Sequence, residues 1–151
     1  MKLFTPILQQ LDNEGFDFQP YDFDQNGSLD HLVVITNGYG AELGIPAADC
    51  DVNSPYDRIW SQGFPNIGDG WMSSSGIGLG AVAITSAFDD GLCESKPTEM
   101  GLILHEYIHG FGVPDLYDAD VEEDAIPLGG TGKFCIMSNQ YGWYVRSIYY
   151  F

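Results

Sequence analysis

The chain has 151 residues, of which 22 are acidic and 5 are basic, so its formal net charge at pH 7 is -17. A charge of that sign repels phosphate backbones and anionic membranes, which argues against nucleic acid as a partner. With 44% hydrophobic residues and no run of about 18 apolar residues that could span a bilayer, residues 1–151 fit a single domain with a hydrophobic core and no membrane span.

Three short elements are predicted before the active-site region. Residues Thr5 to Leu11 suggest a short helix, and His31 to Thr36 suggest a strand. Ala81 to Phe88 predict a second strand, because the residues are nearly all apolar or β-branched. A glycine-rich stretch, residues 76–80, precedes that strand, whereas a dinucleotide-binding loop would follow a strand and open a helix. We therefore expect a hairpin turn there.

An acidic loop directly precedes the first predicted strand. Oxygen-bearing side chains alternate along it, with glycine at the sixth position: Asp22, Asp24, Asn26, Ser28 and Asp30. Such spacing lets a loop wrap Ca²⁺, which takes six to eight oxygen ligands. The pattern begins like an EF-hand but has Val33 at the twelfth position, so Asp30 would supply the late carboxylate. It predicts a compact loop-to-strand calcium site, with an Asx-rich turn that binds no metal as the alternative.

The longest predicted helix runs from about Ser95 to Phe111. Ser95 is the expected N-cap, and Pro97 is expected in the first turn. The helix should end at Gly112, which tolerates a left-handed conformation, before Pro114. Apolar residues at three- and four-residue spacing predict one buried stripe: Met100, Ile103, Leu104, Tyr107, Ile108 and Phe111.

Within this helix, two histidines and a glutamate form a zinc-peptidase pattern, His105-Glu106-x-x-His109. Residues four apart lie one above the other on a helix, so both imidazoles can reach one metal. Catalytic Zn²⁺ usually takes three protein ligands and leaves a fourth position for water or substrate. Glu106 is then close enough to take a proton from that water. The alternative is an amphipathic helix whose histidines share a side by chance.

The third zinc ligand is expected to be a carboxylate, because the chain has only three histidines and His31 lies far upstream. Asp115 follows the helix-ending glycine and needs only a tight turn to return to the metal. The competing donors are acidic residues further along: Asp118, Asp120, Glu122 and Glu123. A zincin with its third ligand on a later helix would use the glutamate pair.

The extended pattern His105-Glu106-x-x-His109-x-x-Gly112-x-x-Asp115 resembles the metzincin motif, although most metzincins have histidine in the last place. With aspartate there, the run Gly112 to Asp118 is similar to the immune inhibitor A-like metallopeptidases. Further matches bracket the motif: Asp17-Phe18, Tyr21-Asp22-x-Asp24, Gly38-Tyr39-Gly40, Trp60-Ser61, Ile136-Met137-Ser138 and Tyr141-Gly142-Trp143. The resemblance spans about Asp17 to Trp143.

This resemblance implies an α+β, metzincin-like catalytic domain with a twisted sheet, an active-site helix and a methionine turn. It also implies a secreted zinc endopeptidase that acts on a protein or peptide substrate. Met137 would form the hydrophobic floor of the zinc site, in keeping with its apolar surroundings. Tyr141 would stabilise the oxyanion, although its spacing from Met137 differs from the usual one and a packed or exposed tyrosine is the alternative.

The sequence also leads to predictions about the localisation of the protein, the extent of the domain and its disulfide bonds. Polar residues such as Gln9 and Asp12 interrupt the apolar start, so no secretory leader is predicted in this chain. Since domains of the resembling family extend further in both directions, we expect residues 1–151 to be incomplete at both ends. Cys50, Cys93 and Cys135 allow one disulfide and a spare thiol, and Cys50 with Cys93 is the preferred pair.

The function predicted from these patterns is zinc-dependent peptide hydrolysis, with Glu106 as general base. The alternative is a catalytically inactive calcium- and zinc-binding module derived from such a peptidase. Retention of Glu106 favours the enzyme, because zinc binding alone does not need that residue.

Overall fold

The computed structural model describes residues 4–40, 59–67, 70–89, 96–117, 131 and 135–138. Within these ranges the chain has a mixed α+β fold, with two α-helices, one short 3₁₀-helix at Gln19–Tyr21 and four strands. The helices are α1 (Thr5–Asn13) and α2 (Met100–His109), and the strands are β1 (His31–Tyr39), β2 (Gln62–Phe64), β3 (Ala81–Asp89) and β4 (Lys96–Pro97).

Strand β3 is the centre of the sheet. β1 runs parallel to it, with His31 paired to Ala81 at the start of both strands. β2 runs antiparallel along the other side, with Phe64 opposite Val82. The short β4 pairs antiparallel with the last residues of β3. Because β3 has strands on both sides and α2 against it, residues Ala81–Ser86 are all buried, which accounts for the nearly continuous apolar run in this segment.

The predicted elements before α2 are confirmed, with small changes in their ends. The first helix begins at Thr5 as expected and is two residues longer than predicted. β1 begins at His31 and continues to Tyr39 instead of ending at Thr36. β3 begins at Ala81 and ends one residue after Phe88. A tight turn at residues 73–77 leads into the glycine-rich stretch, and in this turn Ser73 N–H donates to the Ile77 carbonyl at 2.9 Å.

The hydrophobic core lies between α1, the acidic loop, the glycine-rich turn and β3. Its buried members are Phe4, Leu8, Phe18, Leu29, Trp71, Ile77, Leu79, Val82 and Ile84. Phe18 and Trp71 meet edge to face, with ring centroids 5.2 Å apart. This core joins the segment that carries the acidic loop to the central strand.

The predicted start of the active-site helix is wrong. α2 begins at Met100, with Glu99 as an extended N-cap residue, and not after Ser95, which lies outside the described residues. Lys96 and Pro97 instead pair with the end of β3. Proline fits an edge strand because it has no N–H to donate. The helix itself ends at His109, and Gly112 adopts the left-handed conformation predicted for it, with φ +77°.

The predicted buried stripe of α2 is also wrong. Phe111 and Met100 are 69% and 57% exposed, whereas Gly101, Leu102, His105 and Glu106 are buried. The face that carries the first histidine and the glutamate is therefore turned into the protein. In the described ranges, no helix combines the length and the apolar character needed to cross a membrane.

Candidate metal centre

The two histidines of α2 lie on the same face, one turn apart, as the helical spacing predicts. Their ring centroids are 4.8 Å apart and the rings are nearly perpendicular, at 88°. His105 Nδ1 lies 2.8 Å from the Ile136 carbonyl oxygen, and His109 Nδ1 lies 2.8 Å from the Val113 carbonyl oxygen. A carbonyl oxygen only accepts, so each Nδ1 carries the proton and donates it. The Nε2 atom of each neutral ring then has its lone pair available for a metal.

Asp115 is brought to the same point by the turn at Gly112. Its Oδ1 lies 2.9 Å from His105 Nε2 and 3.4 Å from His109 Nε2. Zinc bonds of about 2.0–2.1 Å in tetrahedral geometry set neighbouring ligand atoms roughly 3.3 Å apart. The two measured separations lie on either side of that value, so His105, His109 and Asp115 fit a tetrahedral metal ion.

The environment of His105 favours the form of histidine that binds metals. The residue is 2% exposed. Burial lowers its pKa below the ordinary value, while the hydrogen bond to Ile136 and the charge of Asp115 act in the opposite direction. Burial disfavours the charged imidazolium. The neutral ring is the metal-binding form.

Glu106 is buried beside His105, with 5% exposure. Its backbone carbonyl lies against Gly63 of β2, so this edge strand approaches α2 closely at the centre of the metal-binding motif. The charge of Glu106 also acts on Tyr117 next to Asp115. Glu106 thus directly follows the first ligand candidate and is buried with it, whereas the group of ligand candidates consists of His105, His109 and Asp115.

Residues 135–138 connect the two segments that carry the ligand candidates. The Ile136 carbonyl accepts the His105 ring proton, and the Met137 carbonyl accepts the Leu116 N–H at 2.8 Å. The Met137 side chain is buried. The backbone of Met137 is thus bonded to the segment that follows Asp115, and the role of its side chain as a floor of the metal site stays a prediction. The hydroxyl oxygens of Thr131 and Ser138 are 2.6 Å apart and share a hydrogen bond, which connects residues 135–138 to Thr131.

Tyr117 lies beside these ligand candidates, although it is not among the predicted site residues. Its ring is stacked on that of His105, with centroids 6.3 Å apart and an interplanar angle of 27°. Burial, the charge of Asp115 and the charge of Glu106 raise the pKa of Tyr117 to about 12, so the phenol stays protonated at neutral pH. The sequence signal for this residue is its place in the run Gly112 to Asp118, two residues after Asp115.

The acidic loop forms a second group of possible metal ligands. Asp22, Asp24 and Asp30 each offer a carboxylate oxygen, and these atoms lie within 4.8 Å of one another. The left-handed Gln25 and Gly27, at φ 57° and 84°, close the loop. A strand follows it and not a second helix, as predicted.

Hydrogen bonds within the acidic loop keep its carboxylates together. Asp22 accepts the N–H groups of Asn26 and Gly27, both at 2.9 Å. Asp30 accepts the N–H of Phe23 at 2.8 Å. The Asn26 side-chain oxygen accepts the Ser28 N–H, also at 2.9 Å. Asn26 and Ser28 thus take part in the internal hydrogen bonding of the loop, and their role as calcium ligands stays a prediction.

His31 lies outside both groups. Its ring stacks on Tyr107 on another face of α2, with centroids 3.9 Å apart. Several other predictions fall outside the described residues: the role of Tyr141, the alternative ligands Asp118, Asp120, Glu122 and Glu123, and the pairing of Cys50 with Cys93. Cys135 is described and is a half-buried free thiol.

No protein-family model matches the chain, and no curated protein matches it.

Proposed function

We propose that this chain is a zinc-dependent endopeptidase that hydrolyses peptide bonds in a protein or peptide substrate. The observation that carries the proposal is the convergence of three possible ligand atoms. Asp115 Oδ1 lies 2.9 Å from His105 Nε2 and 3.4 Å from His109 Nε2. Backbone carbonyls hold both rings in the orientation that a metal needs. Three protein ligands leave a fourth position open, which is typical of catalytic zinc.

Zinc is proposed over calcium or magnesium at this centre because of the donor atoms. Two of the three donors are imidazole nitrogens, whereas Ca²⁺ and Mg²⁺ take oxygen ligands. The carboxylate of Asp115 completes a mixed nitrogen and oxygen set that suits Zn²⁺.

Glu106 is the proposed general base. A bound Zn²⁺ would polarise the scissile carbonyl and lower the pKa of the attacking water. The Glu106 carboxylate takes one proton from the attacking water as the water oxygen forms a bond to the carbonyl carbon. Glu106 then gives that proton to the amine nitrogen as the carbon–nitrogen bond breaks. Its burial on α2 shields the side chain from bulk solvent.

The proposal extends to the type of domain. We infer that the chain has a metzincin-type fold similar to that of the immune inhibitor A-like metallopeptidases. We also infer that it acts outside the cell. Support comes from the left-handed Gly112, which returns Asp115 to the histidines, and from Met137, which is buried next to the ligand segments. Tyr141 is proposed to stabilise the oxyanion.

The acidic loop is proposed as a structural calcium site. Three carboxylates already lie together there, and backbone N–H groups hold Asp22 and Asp30 in place. Carboxylate and carbonyl oxygens are the ligands that Ca²⁺ prefers. The loop leads directly into β1, so a bound ion would stabilise the start of the sheet.

The function is tested by Glu106→Gln, measured as casein digestion and zinc content. The amide keeps the size of the side chain but cannot accept the proton, so zinc should stay bound while turnover falls by about 10²- to 10⁴-fold. Glu14→Gln, at an exposed position after α1, is the control and should keep full activity. A Glu106→Gln protein as active as the parent would contradict the mechanism, and a parent that binds zinc without hydrolysing casein would indicate the inactive binding module.

A further inference from the structure

The two ligand histidines of α2 are held in different ways. His105 donates its ring proton to Ile136, a residue 31 positions further along the chain. His109 donates to Val113, which is only four residues away, and its side chain is 16% exposed. The hydrogen bond of His109 therefore fixes the ring relative to its own turn but does not fix that turn relative to the rest of the protein.

The turn that carries His109 is a weak part of the helix. His109 is the last residue of α2. After it, residues three apart are hydrogen-bonded: Gly110 N–H donates to the Tyr107 carbonyl at 3.0 Å, and Gly112 N–H donates to the His109 carbonyl at 2.9 Å. Hydrogen bonds of this spacing have poorer geometry than those of an α-helix, and helix ends fray. The position of His109 therefore depends on contacts from outside the turn.

His31, the first residue of β1, makes such contacts from the sheet. Its ring is stacked on that of Tyr107, with centroids 3.9 Å apart and planes at 20°. It also lies so close to the backbone of Gly110 that a Cβ atom there would overlap the ring. The Phe111 ring is tilted against it, with centroids 6.0 Å apart. One side chain thus contacts the helix on both sides of His109 in the sequence.

The His31 ring acts at this place by packing. Its backbone is fixed in the sheet, where it pairs with Ala81 at the start of β3. Its Nε2 is buried and has no hydrogen-bond partner in the part of the chain that the structure describes. Leaving a buried polar atom without a partner costs about 1–3 kcal/mol. The contacts with Tyr107 and Gly110, and not a hydrogen bond of Nε2, therefore account for the position of the ring.

We propose that His31 is a positioning residue of the metal centre. Its ring holds the last turn of α2 against the sheet and so keeps His109 Nε2 directed toward the point shared with His105 and Asp115. The inference rests on the proposed zinc centre, but it does not require that the chain hydrolyse peptides.

The first variant is His31→Ala, which removes the ring from the turn. We expect the zinc dissociation constant of the full chain, measured against a competing chelator, to rise about tenfold, the lower end of the range for groups that orient metal ligands. His31→Phe keeps a planar ring and removes both nitrogens, so it should restore most of the affinity. Equal losses of affinity in the two variants, or no loss in His31→Ala, overturn the proposal.

Two controls separate positioning from a general effect on the fold. Ile35→Ala changes the same face of β1 at a position that is 57% exposed, and it should leave zinc affinity unchanged. Leu8→Ala opens the hydrophobic core away from α2 and should lower the thermal midpoint of the metal-free protein without weakening zinc binding by the folded protein. If Leu8→Ala weakens zinc binding as much as His31→Ala does, the effect is general and the proposal is wrong.

A double-mutant cycle tests the route through the stacked rings. If His31 acts on the turn partly through Tyr107, His31→Ala weakens zinc binding less in the Tyr107→Ala background than in the parent. Equal weakening in both backgrounds contradicts that route.

Amide hydrogen exchange of the metal-free protein gives a readout that does not depend on zinc. The N–H groups of Gly110 and Gly112 should exchange faster in His31→Ala, whereas those of α1 should be unchanged. Unchanged exchange at both glycines overturns the proposal. Failure of the zinc centre itself would look different, because His105→Ala and His109→Ala would then leave zinc binding unchanged while the exchange result for His31→Ala would still stand.

Discussion

The imidazole of His31 lies directly against the backbone of Gly110, the residue after α2. A Cβ atom at position 110 would lie 2.7 Å from His31 Nδ1 and 2.9 Å from His31 Nε2, which is too close for real atoms. Burial lowers the pKa of His31, which favours the neutral ring. Since Asp30 of the acidic loop precedes His31 and His109 precedes Gly110, this contact links the two candidate metal groups.

Gly110→Ala is expected to destabilise the protein by about 1–3 kcal/mol, the usual cost of overpacking. The cause is steric, because Gly110 has helical backbone angles (φ -59°, ψ -23°) that alanine adopts freely. Replacing His31 by alanine makes room, so Gly110→Ala should cost much less in the His31→Ala background. Chemical unfolding of the four proteins measures this coupling.

Gly112→Ala is the matched control for that cycle. Gly112 has φ +77°, and a Cβ added there would meet no atom within 4 Å, so the cost of the substitution is conformational, about 1–2 kcal/mol. That cost should be the same with and without His31. Equal costs of Gly110→Ala in both backgrounds would show that the contact with His31 does not determine the choice of glycine.

Gly63→Ala is expected to damage the metal centre. A Cβ there would overlap the Glu106 carbonyl oxygen and lie 2.7 Å from His109 Cβ, so β2 and α2 must separate. We expect lower stability and weaker zinc binding, measured by thermal unfolding and chelator competition. At Gly78 a Cβ would meet its nearest atom at 3.5 Å, an ordinary contact. Gly78→Ala should therefore change zinc affinity little, and a comparable loss in both variants would argue against a specific role for Gly63.

About one Zn²⁺ per chain is expected, and Asp115→Ala should reduce that content strongly. Asp115 Oδ1 faces both Nε2 atoms, so its loss leaves two protein ligands where catalytic zinc usually has three. Glu122→Ala and Glu123→Ala serve as controls and should retain zinc in native mass spectrometry. Release of zinc by either glutamate variant, with retention by Asp115→Ala, would assign the centre to zincins with a later third ligand.

Calcium is expected to stabilise the fold through the acidic loop. An ion that binds only the folded state at a hundredfold excess over Kd adds about 2.7 kcal/mol. The thermal midpoint should rise with calcium in the parent and in the control Glu14→Ala, but not in Asp24→Ala, which removes one of three clustered carboxylates. An equal calcium response in all three proteins would place the ion elsewhere.

The local parts of this fold and site could be predicted from the sequence. The four-residue spacing of His105 and His109 requires only helical geometry, and the left-handed Gly112 requires only a residue without Cβ. The nearly continuous apolar run from Ala81 to Phe88 likewise predicts a strand, and its burial on both faces of the sheet accounts for that composition. These features depend on neighbours within a few residues along the chain.

Contacts between distant segments decided the rest. Pairing of Lys96 and Pro97 with β3 moved the start of α2 to Met100, which helix propensity could not reveal. Packing turned His105 and Glu106 inward and left Phe111 exposed. His105 is oriented by a carbonyl 31 residues away. Asp115 reaches the histidines through the turn at Gly112, and the next residue, Leu116, is bonded to Met137. The candidate metal centre therefore depends on tertiary contacts as well as on the motif that the sequence by itself determined.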